Sequence, residues 1–331
     1  MFNLKRFTCA IISLIAVLGL SACSKHDSDE KYYLITVNTQ IPYWQSAAAG
    51  FYKAAEQMKV RAEVTGPDNY DPQAQKQEFD KAVATKPSGI LVSAGDAELL
   101  RPSIDAAIAA GIPVITIDSD SPMSKRLFFV GTNNFDAGVR GGELAAKQLH
   151  GKGNVVIFTM PSQANLNARL RGYQKAFEGY PQIKIDRIVD MKGDPRIVFD
   201  ETQKILDKKE AIDGFICLEA QGGKEVAAVL NNNHVTGRLV VAMDTDDDTL
   251  DWIRKGVIEA TIAQKPFTMG YFGLQMLDDF HHNRMNVSDA QTVENPTAAL
   301  PTFVDTGSTL INKSNVDGVI EAQQNSKQKK S

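Results

Sequence analysis

Short apolar runs alternate with amphipathic segments along most of the chain. Tyr33–Val37, Ala62–Thr65, Gly89–Ser93 and Pro113–Ile117 read as strands. Between them, Trp44–Met58, Pro72–Thr85 and Ala97–Ala110 read as helices. In the first helix Ala48, Phe51, Tyr52 and Ala55 share one side, the signature of a face turned to a core. The strands read as apolar throughout, as parallel strands covered on both faces must be. Strand and helix in alternation, with right-handed crossovers, predict an α/β doubly wound parallel sheet.

The pattern then begins again. Leu127–Val130, Val155–Thr159, Ile183–Val189, Gly214–Leu218, Leu239–Met243 and Ala260–Ala263 read as strands. Helices are expected at Ala137–Leu149, Asn165–Glu178, Pro195–Asp207, Gly222–Asn231, Thr249–Lys255 and Gly270–Phe280. Two consecutive α/β lobes follow, with no sequence repeat relating them. The polar, lysine-rich end from Gln323 to Ser331 reads as disordered.

The chain starts differently. Lys5 and Arg6 precede an apolar run from Ala10 to Leu20, and this ends in Leu20-Ser21-Ala22-Cys23. A basic start, a short apolar stretch and small residues make a secretory signal peptide. The run is shorter than the ~20 residues that span a bilayer. A cysteine after the small pair resembles a bacterial lipobox, which implies cleavage before Cys23 and acylation of it. Ser24 to Lys31 would then be a polar tether, and the protein would sit on the periplasmic or cell-surface face of a bacterial membrane.

Composition narrows the function. The formal net charge is -4, and losing Lys5 and Arg6 with the signal makes the chain more acidic still. That leaves no electrostatic case for binding nucleic acid. Once Cys9 leaves with the signal and Cys23 carries lipid, Cys217 stands alone, so no internal disulfide is expected. It lies in an apolar run and reads as a small core residue.

Ligands of open α/β sheets sit beyond the carboxyl ends of the strands. There the chain places Asn38 through Trp44, Ser93 through Asp96, Asp118 through Ser121, Asn165 through Arg171, Glu219, Asp244 and Gln264. Aromatic rings, carboxylates, an amide and a guanidinium suit a neutral polyol. Its hydroxyls donate and accept, and its C–H face packs on a ring.

Ile115-Thr116-Ile117-Asp118, Arg171-Gly172, Val240 to Asp244 and Ala260 to Gln264 together resemble the ribose-binding protein family of periplasmic sugar receptors. The likeness runs from about Lys31 to Leu310. It implies two lobes joined by a three-segment hinge, closing on a monosaccharide, and delivery to the permease of an ABC importer by a monomer without catalysis or cofactor. The implied lobes are 32–134 plus 266–300 and 135–265 plus 301–320, after a signal (1–22) and tether (23–31) and before a disordered tail (321–331). The implied sugar ligands are Tyr43, Trp44, Ser93, Asp118, Arg171, Asp244 and Gln264, with Glu219 beside them. The chain departs from the family where Gly193 replaces an expected ring, which predicts a wider pocket. It departs also at Ala220 and Ser119, where an Asn and an Arg are expected.

Other chemistries fit less well. Asp244 to Asp248 is acidic, but Thr249 and Lys255 stand where a calcium loop needs Gly and Glu. Asp246 to Asp248 therefore read as a solvated helix start. There is no Cys/His zinc spacing, and His281-His282 has no partner in view. No acid/base pair for an enzyme stands out. A sensory receptor module feeding a membrane kinase or chemoreceptor would share the same sugar site.

Overall fold

The computed structural model describes residues 26–27, 29–283 and 300–328. The expected signal peptide and Cys23 lie outside them. The first lobe opens with β1 (Lys31–Ile35), α1 (Pro42–Met58), β2 (Arg61–Thr65), α2 (Pro72–Ala84), β3 (Gly89–Val92), α3 (Ala97–Ala109), β4 (Val114–Ile117) and β5 (Phe129–Gly131). The second follows with α4 (Asn134–Gln148), β6 (Lys152–Thr159), α5 (Ala164–Phe177), β7 (Gln182–Asp190), α6 (Pro195–Asp207), β8 (Gly214–Cys217), α7 (Gly222–Asn232), β9 (Leu239–Met243), α8 (Asp247–Lys255) and β10 (Ala260–Ala263). The chain then returns through α9 (Pro266–His282), β11 (Phe303–Asp305), β12 (Thr309–Asn312) and α10 (Val316–Gln328).

Each lobe is a six-stranded sheet with helices on both faces. The strand orders are β2-β1-β3-β4-β5-β11 and β7-β6-β8-β9-β10-β12. Every pairing is parallel except β10 with β12. The two lobes thus share one strand order, differing in the direction of the last strand, although their sequences share no recognisable repeat. The chain passes between the sheets three times, at residues 132–133, 264–265 and 306–308.

Local chemistry accounts for the helix starts. Proline opens α1, α2, α6 and α9, where a missing N–H costs nothing. The side chains of Asp71, Asp96, Asn133, Asp194 and Asp246 each accept a backbone N–H from the first turn of the helix that follows. Phe51, Leu34, Ile117 and Leu277 pack on one face of the first sheet, and Ile35, Phe79, Val92 and Ile104 on the other. Val156, Ile157, Phe215, Val240 and Ile253 belong to the core of the second lobe. Cys217 is buried there, as expected of a core residue, and burial pushes its thiol well up. Among the described residues no helix is long and apolar enough to cross a membrane.

The fold differs from the sequence reading in several places. The expected tether does not extend to Lys31, because Lys31 begins β1 and Glu30 is buried against His282. β2 and β7 are edge strands with half-exposed faces, so they are not apolar throughout. The segment 301–320 does not belong wholly to the second lobe, because β11 pairs with β5 in the first sheet. The end of the chain is helical through Gln328 in α10, where disorder was expected from Gln323. Finally, Asp246 is not solvated: it caps α8 through Thr249, and its side chain is only 10% exposed beside Lys224.

Candidate functional site

Both sheets reverse their winding at equivalent places, between β1 and β3 and between β6 and β8. A crevice opens at such switch points beyond the carboxyl ends of the strands. Here the two crevices face each other and form one cavity of about 70 Å³, partly open to solvent. The first lobe lines it with Asn38, Tyr43, Trp44, Tyr70 and Asp118; the second with Gln163, Asn165, Arg169, Glu219, Asp244 and Gln264.

Asp118 follows β4 and takes a left-handed backbone with φ 59°. Its N–H donates to the Val130 carbonyl at 3.1 Å, which turns the side chain out of the sheet. Tyr43 Oη donates to Asp118 Oδ1 at 2.6 Å, and Ser93 Oγ donates to Oδ2 at 3.2 Å. Burial raises the Asp118 carboxyl, while Arg169 and these two donors pull it back. Trp44 meets Tyr43 edge-to-face at 5.1 Å, so ring faces stand beside the carboxylate.

The second lobe repeats the device. Asp244 follows β9 with φ 65°, and its N–H donates to the Ile262 carbonyl at 3.0 Å. Gln264 Nε2 donates to its carboxylate at 3.1 and 3.3 Å. Burial pushes Asp244 up to about 7, against the pull of Arg169. Glu219 is also pushed by burial to about 7. Its two oxygens accept the N–H groups of Gln221 (2.9 Å) and Gly222 (2.6 Å), so it both lines the cavity and caps α7.

Arg169 is the cation of the site and is only 1% exposed. Its Nε donates to Asn134 Oδ1 at 2.7 Å and its Nη1 to the Leu218 carbonyl at 2.6 Å. Helix α4 can approach it because Gly138 lies against it: a Cβ there would stand 2.1 Å from the Arg169 carbonyl oxygen. Arg169 Nη2 and Gln264 Oε1 are buried with no hydrogen-bond partner among the described residues.

The lobes touch across the cavity. Tyr70 Oη lies 2.8 Å from the Gly95 carbonyl and 2.9 Å from Ser162 Oγ of the other lobe. Asn165 Nδ2 donates to Asp118 Oδ2 at 3.4 Å. A Cβ at Gly193 would stand 2.4 Å from Tyr70 Cβ, so the two occupy one space.

Of the residues expected from sequence, Tyr43, Trp44, Asp118, Glu219, Asp244 and Gln264 line the cavity. Ser93 is one step behind, holding Asp118. Arg171 is a correction: it is exposed on α5 and points away, whereas Arg169 is buried in the site. Helical spacing carried that signal, because Arg169 continues the buried stripe of Leu166, Tyr173 and Phe177. The pocket is also not widened at Gly193, since Tyr70 of the opposite lobe fills the place of the missing ring. Tyr70 and Gln163 were not singled out from sequence. Tyr70 lies in the turn between an edge strand and a helix, where no apolar strand end or helical spacing marks it as a pocket residue.

Residues 32–281 match the periplasmic binding protein domain family. The ribose import binding protein of Bacillus subtilis (strain 168) is 23% identical over 295 residues, covering 83% of this chain and 93% of its own. A solved arabinose binding protein from Geobacillus stearothermophilus is 34% identical, with a TM-score of 0.72 over 88% of this chain and 99% of that one. A solute binding protein from Burkholderia graminis, solved with D-arabinose, is 27% identical, with a TM-score of 0.80 over 88% of this chain and 97% of that one.

Proposed function

The chain belongs to the periplasmic binding protein domain family, and from that premise we propose that it captures a pentose or a related polyol between its lobes and delivers it to an ABC importer outside the cytoplasm. The family consists of binding proteins that serve transporters, not of enzymes. Its relatives named for ribose and arabinose support a small neutral sugar.

The observation that carries this reading is the set of polar atoms around the cavity. Arg169 Nη2 offers a donor, Gln264 Oε1 an acceptor, and Asp118 and Asp244 carboxylates that accept more. A buried group left unpaired costs about 1–3 kcal/mol. Sugar hydroxyls, each both donor and acceptor, satisfy all of these at once. Tyr43, Trp44 and Tyr70 supply the rings for the C–H faces. The relatives named for ribose and arabinose favour a five-carbon ligand.

Binding then works by bridging. The two aspartates sit in different lobes, so a ligand held by both stabilises the closed arrangement over the open one. The protein acts in this reading as a monomer. Acylated Cys23 keeps it at the membrane where the permease sits.

A thermal-shift panel of pentoses, hexoses and polyols, followed by calorimetry, tests the proposal. A ligand at 100 times its Kd should stabilise the protein by about 2.7 kcal/mol. A hexose or a non-sugar giving the only shift would refute the pentose assignment.

A further inference from the structure

The opposite pole of the first lobe carries a second constellation. His26, Glu30, Asp278 and His282 place four nitrogen and oxygen atoms within 4.8 Å of one another. His26 Nε2 lies 3.1 Å from Asp278 Oδ2, His282 Nε2 lies 3.0 Å from Glu30 Oε2, and His282 Nε2 lies 3.5 Å from Asp278 Oδ1. Asp278 and His282 are one turn apart on α9, and His26 and Glu30 belong to the segment that leads into β1. Strand β1 begins here and ends at the cavity, so the cluster and the sugar site are at opposite ends of the strand.

Two carboxylates are covered at this point, Asp278 at 1% and Glu30 at 6% exposure. A divalent cation among these four atoms would be held by all four groups at once. The donor set selects the ion: two imidazoles disfavour calcium and magnesium, which take oxygen, and the absence of thiolate disfavours copper(I). Zinc accepts two nitrogens and two carboxylate oxygens in a tetrahedron. Ligands about 2.0–2.2 Å from it stand about 3.3–3.5 Å from each other. The observed separations of 3.0, 3.1 and 3.5 Å lie within about 0.3 Å of that edge.

An outer layer is built as metal sites require. Tyr32 Oη donates to Asp278 Oδ1 at 3.1 Å, and the Asp27 N–H donates to Glu30 Oε1 at 2.5 Å. Such contacts fix which oxygen faces the ion. The rings of His26 and His282 meet edge-to-face at 5.1 Å, which holds both imidazoles in place.

We propose that His26, Glu30, Asp278 and His282 form a zinc-class metal site that clamps the segment entering β1 to the end of α9. The site is independent of the sugar pocket. Its effect is to fix the start of the lobe, three residues beyond Cys23, against the long helix that returns from the second lobe.

The test uses the full chain in detergent, stripped with a chelator and titrated with zinc alone against a chromophoric competitor. One zinc per chain is expected. His26→Gln and His282→Gln should each weaken it at least about 100-fold, and Tyr32→Phe about 10-fold. A double variant of the exposed His150 and His234 to Gln should bind as wild type does. His26 is at the edge of the lobe, so its variant retains the fold, and circular dichroism checks this. Sugar affinity should be unchanged by His26→Gln. Failure to bind one zinc, or wild-type zinc affinity in the His26 and His282 variants, overturns the site without touching the sugar reading.

Discussion

Asp118 and Asp244 are structural counterparts. Each follows the fourth strand of its lobe, each has a left-handed backbone, and each donates its N–H to the strand beside it. Aspartate tolerates that conformation, where most residues pay about 1–2 kcal/mol. The result is two carboxylates aimed into one cavity from opposite lobes, with Arg169 drawing both down. The pseudo-symmetry of the sheets is thereby reproduced in the chemistry of the pocket.

Asparagine is the informative replacement, because it keeps both the shape and the left-handed backbone. Asp118→Asn and Asp244→Asn should each weaken sugar binding on the order of 100-fold, since hydrogen bonds to charged groups contribute about 1.5–3 kcal/mol. The sugar-free protein should respond oppositely at position 244. Burial raises that carboxyl from 3.8 to about 7. Holding it ionised above pH 7 therefore opposes folding by a few kcal/mol, because each tenfold change in proton affinity is worth about 1.4 kcal/mol. The apo melting temperature of Asp244→Asn should rise by at least about 2 °C. Calorimetry and a melting curve on the same sample check both signs.

Binding should depend on pH in the range where Asp244 and Glu219 titrate, about 7 for each. Their folded values lie above the unfolded ones, so their contribution to apo stability is fullest at low pH and is lost as pH rises through 7. Sugar hydroxyls donate to the ionised carboxylate and lower its pKa in the complex. Affinity should accordingly rise from about pH 6 to about pH 8, with proton release on binding near pH 7. Titration in buffers of different ionisation enthalpy reads the protons directly. Proton uptake on binding would contradict the assignment.

Arg169 and Arg171 can be separated by the same assay. Arg171→Ala should leave affinity unchanged, because that side chain is exposed. Arg169→Lys keeps the charge but loses the fork that reaches Asn134 and Leu218. It should weaken binding at least about 10-fold and move the pH midpoint upward, since Arg169 lowers both aspartates.

The lobes were legible where local signals agree. Pro195–Asp207, Leu239–Met243 and Ala260–Ala263 keep their expected limits, because apolar runs are bounded there by proline or a polar turn. Strands β11 and β12 were not legible: they have three and four residues, half-exposed, and exist only because two sheet edges receive them. The same holds within the site. Asp118 and Asp244 follow apolar strands and advertise themselves, whereas Tyr70 lies in a turn after an edge strand, where no pattern marks it. The partners of His282 could not be read from its neighbours in sequence, because Glu30 is 252 residues away.

The lipid anchor is tested by Cys23→Ala. If Cys23 is acylated, wild type should fractionate with membranes, and the variant should be released or remain unprocessed. One acyl chain holds a protein only marginally, whereas two or more hold it stably. Full solubility of the wild type would remove the anchor from the proposed function and leave the sugar site standing.

Gly193 tests closure itself. It lies in the second lobe at φ +74°, and a Cβ there would come within 2.4–2.7 Å of Tyr70 in the first. The collision exists only when the lobes are together, because the open arrangement separates the two residues. Gly193→Ala therefore carries two costs: backbone strain of about 1–2 kcal/mol in any state, and a steric barrier to closing. Gly256→Ala carries the first alone, because Gly256 has φ +79° and open space around it. If closure brings Tyr70 against Gly193, the two variants should lose similar apo stability, while only Gly193→Ala should lose sugar affinity, by at least about 10-fold. Small-angle scattering should show ligand-induced compaction in wild type and Gly256→Ala, and little in Gly193→Ala at a sugar concentration that saturates the wild type. Equal affinity in the two variants would mean that ligand is held without bringing Tyr70 against residue 193, and the bridging mechanism would fail.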